Sequence, residues 1–154
     1  KEEEIMAGTL KVKIQEDIIL DNQDYGSKRI FEIASIDEIY KRIVTVPASG
    51  DTTIANFATA VSTEASAFDV NDVRYIRLTN LDSSNPVNVA LVGASDNAQF
   101  VLEAGKSLMF GTPDDFMLGE TDTSPAFASF EDLAKITVDS GSNAVNVELF
   151  IASV

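Results

Sequence analysis

The stretches richest in oxygen ligands are the first candidates for chemistry. Asp21-Asn22-Gln23-Asp24-Tyr25-Gly26, with Glu32 at the twelfth position, resembles the opening of a calcium loop, where alternate carboxyl and amide oxygens converge on a hard cation. Gln23 and Tyr25 stand where Asp or Asn should be, and no flanking helices are evident, so a solvated Asx-rich turn is expected instead. Asp69, Asn71 and Asp72 form a second oxygen-rich group, and there the expected role is to cap the backbone ahead of a strand. Asp114-Asp115 and Glu131-Asp132 are adjacent carboxylates of the kind that glycoside hydrolysis uses in pairs. Neighbours on a strand face opposite ways, however, and with no Trp and three Tyr the chain is poor in sugar-stacking aromatics. Gly105-Lys106-Ser107 ends like a phosphate-binding loop, but Phe100 occupies the position of its first Gly, so a turn is the better account.

What is missing narrows the chemistry further. The chain has neither Cys nor His. That removes thiol nucleophiles, the usual zinc sites and the triads in which His activates a hydroxyl or thiol. The expectation is a protein that is not an enzyme and holds no metal or cofactor. Acidic residues outnumber basic ones 25 to 11, a net charge of −14, and no basic cluster exceeds Lys28-Arg29 or Lys41-Arg42. Phosphate backbones are repelled by such a chain, so no nucleic acid is expected as partner. No apolar run approaches the roughly 18 residues of a membrane span, and no membrane partner is expected. The charged start KEEEIMAG lacks the apolar stretch of a secretory signal and reads as a flexible arm over residues 1–8. The remaining residues, 9–154, suit a single domain.

The elements that must position these residues are mostly strands. In TLKVKIQ, Leu10, Val12 and Ile14 share one face and Lys11, Lys13 and Gln15 the other, the pattern of a half-buried strand. RIFEIAS and IVTVP continue in extended patterns, and SIDEIYKRI favours continuous strand over a capped helical turn. TTIANFATAVSTEASAF is the one helix candidate, because Ile54, Phe57, Ala58 and Val61 recur at helical spacing. Three hairpins are expected beyond it: VRYIRLTNL with VNVALV across DSSNP, FVLEAGKSLMF across Glu103–Lys106, and FEDLAKITV with VNVELFIASV across DSGSN. GTPDDFMLGETDTSPAF between the last two reads as a long irregular loop.

NPVNVALVGAS, 85–95, returns as NAVNVELFIAS at 143–153. Both copies place Val, Val and Leu on one face and Asn88 or Asn146 on the other, suiting two equivalent strands of a sandwich with an interfacial or solvated Asn. Among the nine Phe, Phe31, Phe57, Phe68, Phe100 and Phe110 lie in apolar segments and are expected in the core. Phe116, Phe127 and Phe130 occur in the irregular loop, where they anchor it either onto the domain or onto a neighbouring subunit. The expected class is all-β: one β-sandwich, jelly-roll-like, with at most one short helix.

Three phrases carry a resemblance: EIYKRIVTVPASGDTTIANF, DVRYIRLTNLDSSNPVNVALVG followed by FVLEAGKSLMF, and SFEDLAKITVDSGSNAVNVELFIAS. Over residues 36–153 the chain resembles the small virion structural proteins of tailed bacteriophages, particularly those of marine and cyanobacterial phages. The resemblance implies an all-β protein, in some relatives a jelly roll seated as a trimer on the shell exterior. It also implies the major capsid protein and further copies of itself as partners, and the capsid exterior as location. A capsid decoration protein that bridges subunits is the leading expectation, with contacts from residues 1–8 and the loop 112–128. A tail, neck or fibre component, or a carbohydrate- or calcium-binding β-sandwich module, are the alternatives.

Overall fold

A computed structural model describes residues 7–60, 67–118, 127 and 129–154, and every regular element among them is a strand. The chain begins with a long antiparallel ribbon: β1 (Gly8–Glu16) pairs with β4 (Ser27–Ile36), and β2 (Ile19–Leu20) pairs with β3 (Gln23–Asp24) beyond them. Asp21 and Asn22 close its tip with φ of 50° and 61°. Two successive positive φ values match the twist of the flanking strands, and Asp and Asn tolerate them at little cost. This arm, residues 8–36, belongs to neither sheet of the body. Leu10, Val12 and Ile14 are half-buried on one face, as their alternation indicated, and Lys11, Lys13 and Gln15 are exposed on the other. Phe31, expected in the core, sits on the arm at 52% exposure.

The body is a sandwich of two sheets. β5 (Glu38–Val46), β8 (Val73–Asn80), β11 (Ser107–Phe110) and β13 (Val145–Ser153) form the first, in the order β11-β8-β13-β5. The second contains β6 (Asp51–Ala58), β7 (Ala67–Asp69), β9 (Val87–Val92), β10 (Asn97–Leu102) and β12 (Lys135–Asp139), in the order β10-β9-β12-β6-β7. All neighbours are antiparallel except β6 and β7. The chain crosses from one sheet to the other by four arches, β5–β6, β8–β9, β10–β11 and β12–β13, and also between β7 and β8 and between β11 and β12, and this is the strand order of a jelly roll.

The three expected hairpins are thus arches between sheets. Among the described residues, only β9–β10, around Gly93–Asp96, is a hairpin within one sheet of the body. The turn residues are where the sequence put them, with Gly105 at φ 70° and Gly141 at φ 63°. A turn says that the chain reverses; it does not say which sheet the returning strand joins. In an arch the two apolar strand faces meet across the core, and in a hairpin they lie side by side, so the same alternation serves both.

The expected helix is also replaced. Residues 51–58 are strand β6, and 67–69 are strand β7, while Val61 lies outside the described residues. In β6 the register against β12 slips, with Ile136 opposite Ala55 and Thr137 opposite Thr53, which leaves Ile54 as an extra residue. A bulge shifts the side-chain phase by one. Ile54, Ala55 and Phe57 are all buried as a result, and the apolar spacing imitates a helix.

The repeat now has a structural meaning. β9 and β13 lie in opposite sheets, and Val87, Val89 and Leu91 of one, with Val145, Val147 and Leu149 of the other, belong to the same buried core. Each such side chain contributes about 1.5–3 kcal/mol on burial. At the entry to the two strands the first residues of the repeats meet, Asn143 Nδ2 donating to Asn85 Oδ1 at 3.1 Å. β13 is paired on both edges along its length, so the second copy closes the sheet from its centre.

Candidate functional site

The antiparallel register gathers all four arches at one end of the sandwich. There Asn80, a fully buried polar residue, donates from Nδ2 to the carbonyls of Asn85 at 2.9 Å and Leu102 at 3.1 Å, and its Oδ1 accepts from the N–H of Asp82 at 2.9 Å. Its backbone exchanges two further bonds with Gly105 and Lys106. One side chain therefore joins the β8–β9 arch to the β10–β11 arch. Asp82 accepts from the N–H groups of Asn85 and Ser84, which hold its carboxyl below the usual carboxylate range. Ser140 donates to the Pro47 carbonyl at 2.8 Å and ties the β12–β13 arch to the β5–β6 arch. This end is a set of structural clasps. The residue order signals Asn80 only as an Asn closing a strand ahead of Leu-Asp, and its burial comes from the arches that meet over it.

The opposite end carries the arm, residues 111–118 and 129–134 and the last described residue, Val154. Among the described residues, Asp114, Asp115 and Asp132 are the one group whose carboxylate oxygens lie close enough, within 4.8 Å of one another, to hold a cation. Sequence neighbours thus converge with a third acid through the loop and not through a strand. The backbone uses them: Asp132 Oδ1 accepts from the Asp115 N–H at 3.0 Å, and Thr112 Oγ1 accepts from the Asp114 N–H at 3.1 Å. Desolvation, a hydrogen bond with Asp132 and the charges of Asp115 and Asp132 raise the Asp114 carboxyl above its ordinary value. Glu131 turns away from this group. Its carboxylate accepts from the N–H groups of Ser95 and Asp96, both at 3.0 Å, and so caps the β9–β10 hairpin.

The other candidate positions separate. Asp21 lies in the tip turn, and Glu32 is on β4 in an ion pair with Lys11 at 2.8 Å, so no calcium loop forms there. Asp69 caps its own turn, Oδ1 accepting from the Asn71 N–H at 2.9 Å. Lys106 and Ser107 fall in the β10–β11 arch and the start of β11.

The proposed interface residues do not share a surface. Asn88 is exposed on the outer face of the second sheet, where its amide donates to Asp139 at 3.3 Å. Asn146 is exposed on the outer face of the first sheet and accepts from Thr45 Oγ1 at 2.7 Å. Phe116 packs its ring on Phe110, with centroids 4.9 Å apart, and anchors the loop to the body. Phe130 is 44% exposed and lies near Ala94, Asp115 and Asp132, and Phe127 is 81% exposed.

The outer face of the first sheet is the most organised surface. Glu148 binds Arg77 at 2.5 Å and Lys41 at 3.6 Å, and the Arg77 guanidinium lies 5.8 Å from the centre of the Phe150 ring. Its hydrogen bond with Arg77, strengthened by the charges of Arg77 and Lys41, lowers the Glu148 carboxyl below its ordinary value despite partial desolvation. Tyr75 meets the edge of the same Phe150 ring at 5.9 Å. Beside this face, Val12, Ile14 and Phe31 of the arm and Tyr75, Met109 and Phe110 of the body line an apolar groove of about 550 Å³. Arm and body line it together.

No protein-family model matches the chain, and no curated protein matches it. Among solved structures, one of Bacillus endospore appendages, a family of disulfide-linked pili, is similar over 75% of this chain and 85% of that chain, with a TM-score of 0.41 and 13% identity. A likeness at that score says nothing about what this chain does.

Proposed function

We propose that the protein is a virion structural subunit, a capsid decoration protein that stabilises the shell exterior by bridging subunits, with no catalytic residue, metal or cofactor in its action. The distribution of exposed apolar side chains supports this reading. Among the described residues, six of the thirteen large ones, Ile18, Ile19, Leu20, Tyr25, Ile30 and Phe31, lie on the arm. A two-stranded ribbon is marginally stable alone in water, and apolar groups concentrated on one suit an element that packs on a partner. The body, acidic over residues 37–154, suits a soluble face displayed at high density. The partners on this reading are the major capsid protein and further copies of the chain, and a homotrimer is the expected assembly.

Co-sedimentation of the pure protein with undecorated capsids tests it. Binding to shells, lost when residues 8–36 are deleted, is the expected outcome. A protein found in purified particles only in tail-like copy number would move it to the tail, neck or fibre and overturn the shell assignment. Calorimetric titration with calcium and a glycan screen separate the module reading, since a decoration protein shows neither signal.

A further inference from the structure

The arm ends in an apolar knob. Ile18, Ile19, Leu20 and Tyr25 are exposed by 52%, 76%, 57% and 58%, and Asp17, Asp21 and Asp24 surround them. The groove between arm and body is a matching socket. Its lining includes Arg74 and one acid, Glu32, which is ion-paired with Lys11 at 2.8 Å, and Arg29, opposite Ile14 in the β1–β4 register, lies on the same face of the arm, so the border carries a net positive charge. An acidic apolar tip and an apolar groove flanked by arginines are complementary in both respects.

Within one copy they cannot meet. The ladder from Leu10 opposite Ile33 to Glu16 opposite Ser27 is unbroken, so the tip is held beyond the stretch of arm that lines the groove. Val12 and Ile19 are seven residues apart on an extended ribbon, a separation of about 20 Å. We infer that the tip, Asp17–Tyr25, seats in the groove of a second copy of this chain, a head-to-tail contact.

Charge decides for the arm over the body as the contact. Residues 37–154 hold seventeen acids and six bases, so body-to-body contact is repulsive, whereas residues 8–36 hold five acids and four bases. A contact of knob in socket is heterologous, and it closes into a ring, a trimer among the possibilities, wherever the rotation per step allows. The inference rests on the reading of the chain as a structural subunit, and it names how copies join.

Self-association of the pure protein tests this with no capsid present, so its failure is distinguishable from failure of the shell assignment. Molar mass is measured by light scattering for the wild type, for a tip variant Ile19→Asp/Leu20→Asp, and for a socket variant Met109→Asp. All three positions are at least 41% exposed, so the fold is retained, and circular dichroism checks it. The wild type is expected as an oligomer and each variant as a monomer. An equimolar mixture of the two variants is expected to regain a dimer, because the intact tip of one fits the intact groove of the other. A monomeric wild type, an oligomer that survives in either variant, or a mixture that stays monomeric would overturn the head-to-tail contact.

Discussion

Single polar side chains hold this fold where strands change sheet. Asn80 satisfies two carbonyls and one N–H in a fully buried position, and Asn80→Ala leaves those groups without partners. The expected loss is about 2–3 kcal/mol, read from urea unfolding. Glu148 and Asp114 make opposite predictions in acid. The folded carboxyl of Glu148 lies below its unfolded value, so its contribution is present above about pH 4.5 and fades as pH falls through the folded value. Glu148→Gln is expected to be less stable at neutral pH and to lose less stability on acidification. The Asp114 carboxyl is raised, so the folded state binds the proton more tightly and stability falls as pH rises above about 4. Asp114→Asn is expected to be more stable than wild type at pH 7, with the difference vanishing in acid, both read from thermal melts across pH.

At the scale of elements, the β9–β10 hairpin shows how a loop residue holds a turn. A Cβ on Gly93 would lie 2.1 Å from Glu131 Oε1, so Gly93→Ala displaces the side chain that caps Ser95 and Asp96. Glu131 is flexible enough to move aside, and the expected loss is that of its two charged hydrogen bonds, about 1–3 kcal/mol. Glu131→Gln, which keeps the shape and weakens the acceptor, is expected to lose less. Ordering by urea midpoint, wild type above Glu131→Gln above Gly93→Ala, checks the capping role. A rank in which Gly93→Ala matches wild type would show that the turn holds without the carboxylate. β6 teaches the complementary lesson: one bulge at Ile54 changed the apparent period of a strand, and only the partner β12 reveals it.

The whole molecule divides into a clasped jelly roll and a projecting arm. The arm shares no sheet with the body, and the first body strand is fixed independently, from the Asp37 N–H bonded to the Ser153 carbonyl onward. Deleting residues 1–36 is therefore expected to leave a folded body whose melting temperature stays within about 5 °C of wild type, equivalent to about 1 kcal/mol. A deletion variant that fails to melt cooperatively would show that arm and body fold as one unit. The same deletion removes both the knob and one wall of the socket, and so should give a monomer.

The residue order by itself determined the class of the fold, because alternation of apolar and polar residues and the punctuation by Asp, Asn, Ser and Gly are local properties. It also separated the two faces of the repeats: Val-Val-Leu is buried and Asn88 and Asn146 are outside in both copies. Tertiary structure alone decided which strands pair. The arches at DSSNP, Glu103–Lys106 and DSGSN carry the same turn residues as hairpins, and the choice between them depends on the distant strands that share each sheet. The converging Asp114, Asp115 and Asp132, the buried amide of Asn80, and the separation of arm from body were likewise hidden, since each depends on residues far apart in the chain. The run Asp17-Ile18-Ile19-Leu20-Asp21 is visible in the residue order, three apolar residues between acids. Only the unbroken ladder behind it shows that this tip projects beyond the reach of its own groove.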